Sequence, residues 1–463
     1  MLSLLAVAWR RVWQRRTSTL LTATSVALSA GLAVLLLLVR TQGLQLLAHG
    51  PRGFDLIIGP KGSGIDLTLT TLFHLESATG TISWSFYDSL QHDPSWHGAV
   101  AQAVPLAVGD SVDGCDLIAT TADLFAVVGG ASPAGVRPAP SAADGGGALA
   151  AGEMMRDGTI QAVVGAEVPR LTGLEIGASF RPTHGTGDGI DPNEVHQRSF
   201  TIVGVLAPTG TVFDRCVFVT LAGFWSIDEH ERGLHDQALV RAAAAGSASA
   251  GASGSGEVPD GDQDPPPSRV AADGTVQLGL PVTERRLSMI LVRSRGEFSA
   301  QSILYRVNSG DQAMAVNPTL ILAGLSRTLL APALRLGAAL VALVLSMATL
   351  GVLLSSYHAV HAQALELATL RALGASRRWL LTLISSEAAL CGLLGAVCGL
   401  VPAHLLMAVV EWWMRARLGG GAPWWQPGWP DLLVVLLAGA AAALAGLVPG
   451  YVAGRQMVAE QLC

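Results

Sequence analysis

Residues 20–39 read LLTATSVALSAGLAVLLLLV, an apolar run that contains no charged side chain. A helix rises about 1.5 Å per residue, so a run of this length crosses a hydrocarbon layer of about 30 Å. Three further runs of this kind lie in the last third of the 463-residue chain. We therefore expect a membrane protein with four transmembrane α-helices, arranged as one plus three. The predicted spans are residues 19–40, 331–357, 380–410 and 431–453.

The overall composition agrees with this class of protein. Hydrophobic residues make up 50% of the chain and charged residues only 14%, whereas soluble domains carry about 25% charged residues. The formal net charge is −6. An acidic chain has no basic field that would attract nucleic acid, so we expect membrane lipid and not nucleic acid around it.

The distribution of arginine predicts the orientation of the spans. Residues 1–18 contain four arginines and no acidic residue, and residues 358–379 contain three arginines against one glutamate. Cytoplasmic segments are enriched in basic residues, so both are expected in the cytoplasm, the first as an interfacial helix. With four spans, the short loop at residues 411–430 is then periplasmic and the tail at residues 454–463 is cytoplasmic.

Residues 41–330, between the first two spans, have a different pattern. Short apolar runs bounded by Gly, Pro and Asp, such as FTIVGVL at residues 200–206, predict strands, and helical patterns lie between them. We therefore expect a large periplasmic α+β domain inserted between spans 1 and 2. Two low-complexity stretches, at about residues 129–152 and 242–273, contain too little bulky apolar surface to offset ordering entropy, and loops or disorder are expected there.

The chain carries no motif that predicts catalysis. Lys61 lies in GPKGSG at residues 59–64, but the GxxxxGK[ST] pattern of a phosphate-binding loop is absent, as is the GxSxG motif of a nucleophilic serine. We therefore expect no enzyme activity in this chain.

The histidines and cysteines give weaker signals. His184 and His196 are close in sequence, as are two other histidine pairs, but none has a clear third ligand, so no metal site is predicted. Cys115 and Cys216 are the two cysteines of the α+β domain. The sequence is compatible with a disulfide between them and equally with two free thiols.

The loop between the second and third spans carries an apolar stripe. Leu367, Leu370 and Leu373 recur every three residues, and Glu366 can pair with Arg371 or with a partner protein. The stripe can be covered by a docked partner or can pack on the inner ends of the spans. The residues leave these two alternatives open.

Several motifs together resemble a known family. The sequence ELATLRALGAS at residues 366–376 is followed by two arginines and by a span with an early glutamate and three glycines. This arrangement resembles the C-terminal transmembrane unit of the MacB/FtsX-like ABC transporter permeases. The segments at residues 55–82, 162–168 and 200–219 also resemble that family, so the likeness extends over nearly the whole chain.

The resemblance implies a function. It implies the permease subunit of an ABC transporter in the bacterial inner membrane, which exports or extracts a lipoprotein, peptide or amphiphile. The alternative is an FtsX-like signalling subunit that activates a periplasmic cell-wall hydrolase. A separate ATPase would bind ATP and Mg, so no cofactor is expected in this chain. A second permease copy, identical or different, and a periplasmic adaptor are further implied partners.

The resemblance also assigns roles to particular residues. The loop after the second span would hold the coupling helix, with Glu366, Leu370, Arg371, Gly374 and Ala375 in contact with the ATPase. Gly395 and Gly399 form a GxxxG step, which lets two helices approach closely in lipid. Their partner can be the second copy or another span of this chain.

One acidic residue of the third span needs a partner of its own. An uncompensated carboxylate in an apolar helix is unfavourable, so Glu387 is expected to face protein, water or the inner interface. A hydrogen bond with Ser385, Ser386 or a neighbouring helix is the favoured explanation.

Overall fold

The computed structural model describes residues 2–14, 16–48, 53–74, 80–128, 149–186, 194–249, 266–418, 425 and 427–455. The chain divides into two compact units. The first, which we call the helical unit, comprises Met1–Leu46, Leu325–Trp413 and Ala422–Cys463. The second, the sheet unit, comprises Leu47–Gly324 and Met414–Gly421.

The helices follow in chain order. They are α1 (Leu2–Gln14), α2 (Arg16–Ala48), α3 (Gly64–Phe73), α4 (Trp84–His92), α5 (Pro94–His97), α6 (Asp123–Val128), α7 (Val168–Thr172), α8 (Leu221–Trp225), α9 (Asp228–Ser249), α10 (Glu297–Ser309), α11 (Pro318–Leu325), α12 (Ala331–Ala362), α13 (Ala364–Ala372), α14 (Arg377–Leu418) and α15 (Trp429–Arg455). A π-helical turn at Ser326–Leu330 joins α11 to α12.

The strands all lie in the sheet unit. They are β1 (Leu56–Gly59), β2 (Ile82–Ser83), β3 (Val100–Val112), β4 (Cys115–Thr120), β5 (Leu149–Gly152), β6 (Gln161–Val164), β7 (Ser179–Phe180), β8 (Thr183–His184), β9 (Phe200–Leu206), β10 (Val217–Thr220), β11 (Arg269–Val270), β12 (Val276–Gln277), β13 (Arg286–Leu287), β14 (Met289–Ser294) and β15 (Met314–Val316).

Four helical runs are long and apolar enough to cross a membrane. They are Arg16–Gly43, Pro318–Ala362, Arg377–Met414 and Trp429–Ala453. Together with the mixed α/β sheet unit, they agree with the predicted class of four spans plus an α+β domain. In sequence, most of the sheet unit lies between the first and second of these runs.

The helices extend beyond the predicted spans. The second run begins at Pro318 and not at residue 331, and the boundary between the units falls at residues 324–325 and not at residue 330. Helix α14 covers 42 residues and includes the first part of the predicted loop at residues 411–430. The predicted segment at residues 358–379 is mostly helical, because α12 ends at Ala362 and α14 begins at Arg377. Residues 456–463 lie outside the described part of the chain.

The low-complexity stretches are more ordered at their ends than expected. Residues 129–148 and 250–265 lie outside the described residues. Leu149–Gly152, however, forms a strand on β9, and residues 242–249 continue helix α9. Residues Arg269–Val270 pair with Val276–Gln277. These segments contain few bulky apolar side chains. Backbone hydrogen bonds between strands stabilise the first and third, and the high helix propensity of alanine stabilises the second.

Small side chains fill the core of the helical unit. Buried residues from all four spanning helices form one cluster: Val26, Ala30, Ala348, Val352, Ala388, Ala396, Ala438, Ala442 and Ala445. Alanine brings the helix axes close together, which is the usual route to helix association where lipid removes the hydrophobic driving force.

One mixed sheet organises the sheet unit. Its main path runs β15-β1-β14-β3-β4-β10-β6-β9-β5, with β7 paired to β9 and β8 paired to β3. Strand β3 covers 13 residues in the middle of this path. Its register against β4 shifts between Val108 and Asp110, where the strand carries a bulge. Bulges change the direction of a side chain, and here the affected residue is Asp110.

Candidate functional site

The turn between the second and third spans is built from a short helix and a glycine stop. Gln363 separates α12 from α13, and α13 ends at Ala372. Gly374 has a φ of +102°. The Gly374 amide donates to the Arg371 carbonyl and the Ala375 amide to the Leu370 carbonyl, both at 3.0 Å. This pair of bonds is the Schellman motif, which requires a residue such as glycine at the position with positive φ.

The leucine stripe at α13 was expected either to pack on the ends of the spans or to be covered by a partner, and its residues differ in this respect. Leu367 is only 4% exposed and packs with Val360, Leu380 and Ile384 of the spans. Leu373, at the other end, is 85% exposed. One part of the stripe therefore packs on the ends of the spans, and the other part remains uncovered within the helical unit.

The residues assigned to an ATPase contact differ in exposure. Glu366 and Gly374 are exposed, whereas Leu370, Arg371 and Ala375 are half-buried. All belong to α13 or to the turn that ends it. Leu365 in this helix and Leu373 directly after it are both exposed and present more surface than Leu370 does.

Two exposed arginines begin the third span. The Trp379 amide lies 3.2 Å from the hydroxyl of Ser376, which caps α14, and Arg377 and Arg378 follow the cap directly. Positive charge is unfavourable at a helix N-terminus because the helix dipole is positive there. Helix stability therefore does not explain these arginines.

A polar cluster joins α1 to the spans. Arg11 lies almost buried, with its Nε 2.7 Å from Oε1 of Glu387 in α14. The Arg11 guanidinium also donates to the side-chain carbonyl of Gln363. The sequence predicted a partner for Glu387, either a nearby serine or a residue of a neighbouring helix, and the structure has the second; Arg11 itself was not identified. An arginine on the buried side of an amphipathic helix is the sequence signal that could have identified Arg11 as the partner of Glu387.

The cluster borders a small cavity in the helical unit. Helices α1, α2, α12 and α14 all contribute to its lining. The lining residues are Arg11, Val12, Ser18, Thr19, Thr22, Ser355, Ser356, Ala359, Val360, Ile384, Glu387 and Cys391.

The predicted GxxxG step packs inside the chain. A Cβ on Gly395 would lie 2.6 Å from the Ala23 carbonyl oxygen, and a Cβ on Gly31 would lie 2.8 Å from that of Gly399. The step therefore contacts the first span, α2. Of the two alternatives, the structure has the one in which the glycines pack against another span of the same chain.

Three histidines and an aspartate meet in the sheet unit. His184, His196 and His230 all approach Asp110, and the four ligand-type atoms lie within 4.8 Å of one another. Sequence reasoning noticed His184 and His196 but found no third ligand. Asp110 and His230 are 120 positions apart, so no local spacing could have revealed them.

The cluster shifts the protonation of its members. Burial would by itself raise the pKa of Asp110, but hydrogen bonds from His196 and His230 outweigh it and hold that pKa at about 2. Burial would lower the pKa of His196, yet its bonds to Asp110 and Glu229 raise it. Both shifts favour the charged forms, the carboxylate of Asp110 and the imidazolium of His196.

Part of the chain matches the model of a known protein family. Residues 338–457 match the model of the family described as FtsX-like permease C-terminal. The matched segment contains most of α12 and all of α13, α14 and α15. The match supports assignment to the FtsX/MacB-like ABC permeases. A search of the curated proteins found no match.

Proposed function

We propose that this chain, a permease of the FtsX/MacB-like family, transmits the motion of a separate ATPase to its sheet unit, and thereby exports or extracts a lipoprotein, peptide or amphiphile. The general class of the protein, a multi-pass component of an ABC transporter, follows from the family match and the four apolar helices. We place the sheet unit in the periplasm, and α13 and both termini in the cytoplasm.

The observation that carries the proposal is the position of α13. It is a short helix between two spans, within the segment that matches the family, and it presents uncovered leucine side chains. A short apolar helix at the end of the spans needs a protein partner to bury that surface. We assign this surface to the ATPase, with Glu366, Leu370, Arg371, Gly374 and Ala375 around it.

The packing of α13 supports transmission of force. Leu367 is fixed between Val360 of α12 and Leu380 and Ile384 of α14. A displacement of α13 would therefore move the ends of both spans. A helix can carry such a shift across the bilayer, because all of its backbone hydrogen bonds are internal. In this scheme ATP and Mg bind to the ATPase, and a second permease copy completes the complex.

The docking surface is tested by Leu373→Asp. We expect the purified membrane complex to lose most of its ATP hydrolysis, because a charged side chain would be buried at the interface. Leu171→Asp is the matched control, since Leu171 is an exposed leucine of the sheet unit. ATPase activity and bound proteins are measured after mild detergent extraction, and membrane insertion is measured in parallel. Normal ATPase activity and normal ATPase binding with Leu373→Asp would contradict the proposed docking surface.

The orientation is tested by cysteine labelling in a background without the native cysteines. Ser376→Cys lies in the turn after α13, and Asp311→Cys lies in the sheet unit, both at exposed positions. With a membrane-impermeant maleimide, we expect Asp311→Cys to react in spheroplasts and Ser376→Cys to react only after lysis. Labelling of both positions from the same side would refute the proposed mechanism.

Signalling to a cell-wall hydrolase is the alternative function for the same ATPase-driven motion. The matched segment belongs to the C-terminal spans, so the choice between the two depends on the sheet unit. This unit extends over Leu47–Gly324, a size that favours handling of a substrate over simple activation. Mass spectrometry of proteins and lipids retained after gentle purification distinguishes the two. A retained hydrolase supports signalling, and a retained lipoprotein or amphiphile supports export.

A further inference from the structure

We propose that Asp110, His184, His196 and His230 form a binding site in the sheet unit for one divalent transition-metal ion of the zinc type. The site is separate from the proposed ATPase surface and concerns a different ligand. Three imidazole nitrogens and one carboxylate oxygen are a ligand set that suits zinc, whereas calcium and magnesium prefer oxygen ligands throughout.

The distances from Asp110 to the three histidines match those between ligands of one tetrahedral ion. Zinc binds nitrogen and oxygen at about 2.0–2.1 Å, so two ligands of a tetrahedral site lie about 3.3 Å apart. Oδ1 of Asp110 is 3.1 Å from Nε2 of His230, 3.2 Å from Nε2 of His196 and 3.5 Å from Nδ1 of His184. The histidine nitrogens lie within 4.8 Å of one another, so the three rings would close towards a common centre when they bind an ion.

The hydrogen bonds on the far sides of two rings favour metal binding. Nδ1 of His196 lies 3.1 Å from Oε2 of Glu229, and Nδ1 of His230 lies 3.2 Å from the Phe224 carbonyl oxygen. Both partners accept hydrogen bonds, so each Nδ1 carries the proton. In neutral imidazole the Nε2 atoms are then bare and point at the Asp110 carboxylate, which is also an acceptor.

Such an arrangement requires a positive species in the centre. It can be supplied by protons on the rings or by a metal ion that accepts all the inward lone pairs. A histidine held on its outer nitrogen by a carboxylate or a carbonyl is the usual arrangement at metal sites, because that bond fixes the tautomer and the ring. Metal binding would release the ring protons to solvent.

The fold brings the four residues together from distant parts of the sequence. The bulge in β3 directs Asp110, and His184 lies opposite Asp110 in the pairing of β8 with β3. His230 lies in the first turns of α9, and His196 precedes β9. Asp110 is fully buried, and its second oxygen, Oδ2, has no hydrogen-bond partner among the described residues. A bound cation would offset the negative charge of this buried carboxylate.

The exposure of the residues indicates how the ion enters and what it does. The His184 side chain is 54% exposed, so the ion can reach the cluster from solvent. His196 and Asp110 are buried. Three histidines and one carboxylate fill the four positions of tetrahedral zinc, and catalytic sites keep one position open. The site therefore binds metal and fixes α9 to the sheet, and we assign it no hydrolytic role.

The test uses the full chain, purified in detergent without a histidine tag and stripped with a chelator. Isothermal titration with ZnCl₂ measures the stoichiometry and affinity, and CoCl₂ provides the visible absorption of tetrahedral cobalt. We expect one ion per chain. His196→Asn and His230→Asn should weaken binding by more than about 10-fold, because even loss of a hydrogen-bond partner of a bound imidazole costs roughly 10–100-fold. Glu229→Gln tests directly how much the contact between Glu229 and Nδ1 of His196 contributes to metal binding.

Matched variants separate loss of the site from loss of the fold. His235→Asn removes a histidine from the same helix, where it pairs with Glu284 at 3.0 Å, and should bind as the parent does. His184→Asn changes a half-exposed residue, so it should fold normally and still lose the cobalt spectrum. Absence of zinc binding by the parent, or equal binding by the parent, His196→Asn and His184→Asn, would overturn the proposal and leave a protonated histidine cluster.

Discussion

Nε of Arg11 and Oε1 of Glu387 lie 2.7 Å apart, so the N-terminal helix is held to the third span by a largely buried ion pair. The two residues belong to α1 and α14, and Arg11 also donates to Gln363 just before α13. One arginine therefore contacts α14 and the residue that joins α12 to α13. The ion pair makes α1 part of the helical unit and not only a surface anchor.

The first prediction concerns the energy of this ion pair. Arg11→Met removes the cation from a carboxylate that is 17% exposed, and we expect a lower melting temperature in detergent. Adding Glu387→Gln removes the charge and should restore part of the loss. The coupling energy from the double-mutant cycle should be about 0.5–3 kcal/mol. Arg10→Met, on the exposed neighbour of Arg11, is the control and should change little. Strictly additive effects of the two substitutions would show that the pair contributes nothing.

The second prediction concerns the close contact between α14 and α2. Gly399→Ile places a branched side chain against the backbone of α2, and overpacking of this kind costs about 1–3 kcal/mol. We expect a lower melting temperature with an unchanged oligomeric state by light scattering. Gly351→Ile in α12 is the control, because a Cβ at Gly351 meets nothing within 4 Å. If Gly399→Ile dissociated a dimer without loss of thermal stability, the glycines would serve an intermolecular contact.

The third prediction concerns the stop of α13. Gly374 has a φ of +102°, which a β-branched residue adopts only with strain of about 1–3 kcal/mol. A Cβ there meets nothing within 4 Å, so the backbone alone determines the effect. We expect Gly374→Val to reduce ATP-driven activity of the complex while membrane insertion stays normal, and Gly374→Asn to have a smaller effect because asparagine tolerates positive φ. The two variants are compared by ATP hydrolysis, and equal activities would show that this turn does not matter.

The fourth prediction concerns the two cysteines of the sheet unit. Cys115 and Cys216 are both free and buried, which decides the question that the sequence left open in favour of two thiols. Burial raises the pKa of Cys115 to about 11 and raises the pKa of Cys216 well above its usual value. The thiolate is the reactive form, so at about pH 8 both should resist iodoacetamide until the protein is unfolded. Peptide mass spectrometry of the two sites, before and after denaturation, measures this. Rapid labelling of the folded chain, or a disulfide-linked peptide, would contradict it.

Much of the architecture could be predicted from local patterns. The four spans follow from run length and hydropathy, because the thickness of a bilayer sets the length of an apolar helix. The stop at Gly374 also follows from local sequence, since glycine is the residue that a Schellman turn favours. The bounds of the spans were less well predicted. Helix α14 continues to Leu418, because hydropathy identifies the part of a helix that lies in lipid and not where the helix ends.

What remained hidden was pairing over long distances. The sequence by itself determined four apolar runs long enough to span a membrane, and its family resemblance predicted a short helix between the second and third of them. Only the tertiary structure decided that Arg11 meets Glu387, that Gly399 packs on α2, and that His230 reaches Asp110. The physical reason is that hydropathy and helix stops act through neighbours along the chain. Ion pairs, close backbone contacts and metal ligands depend instead on which segments the fold brings together.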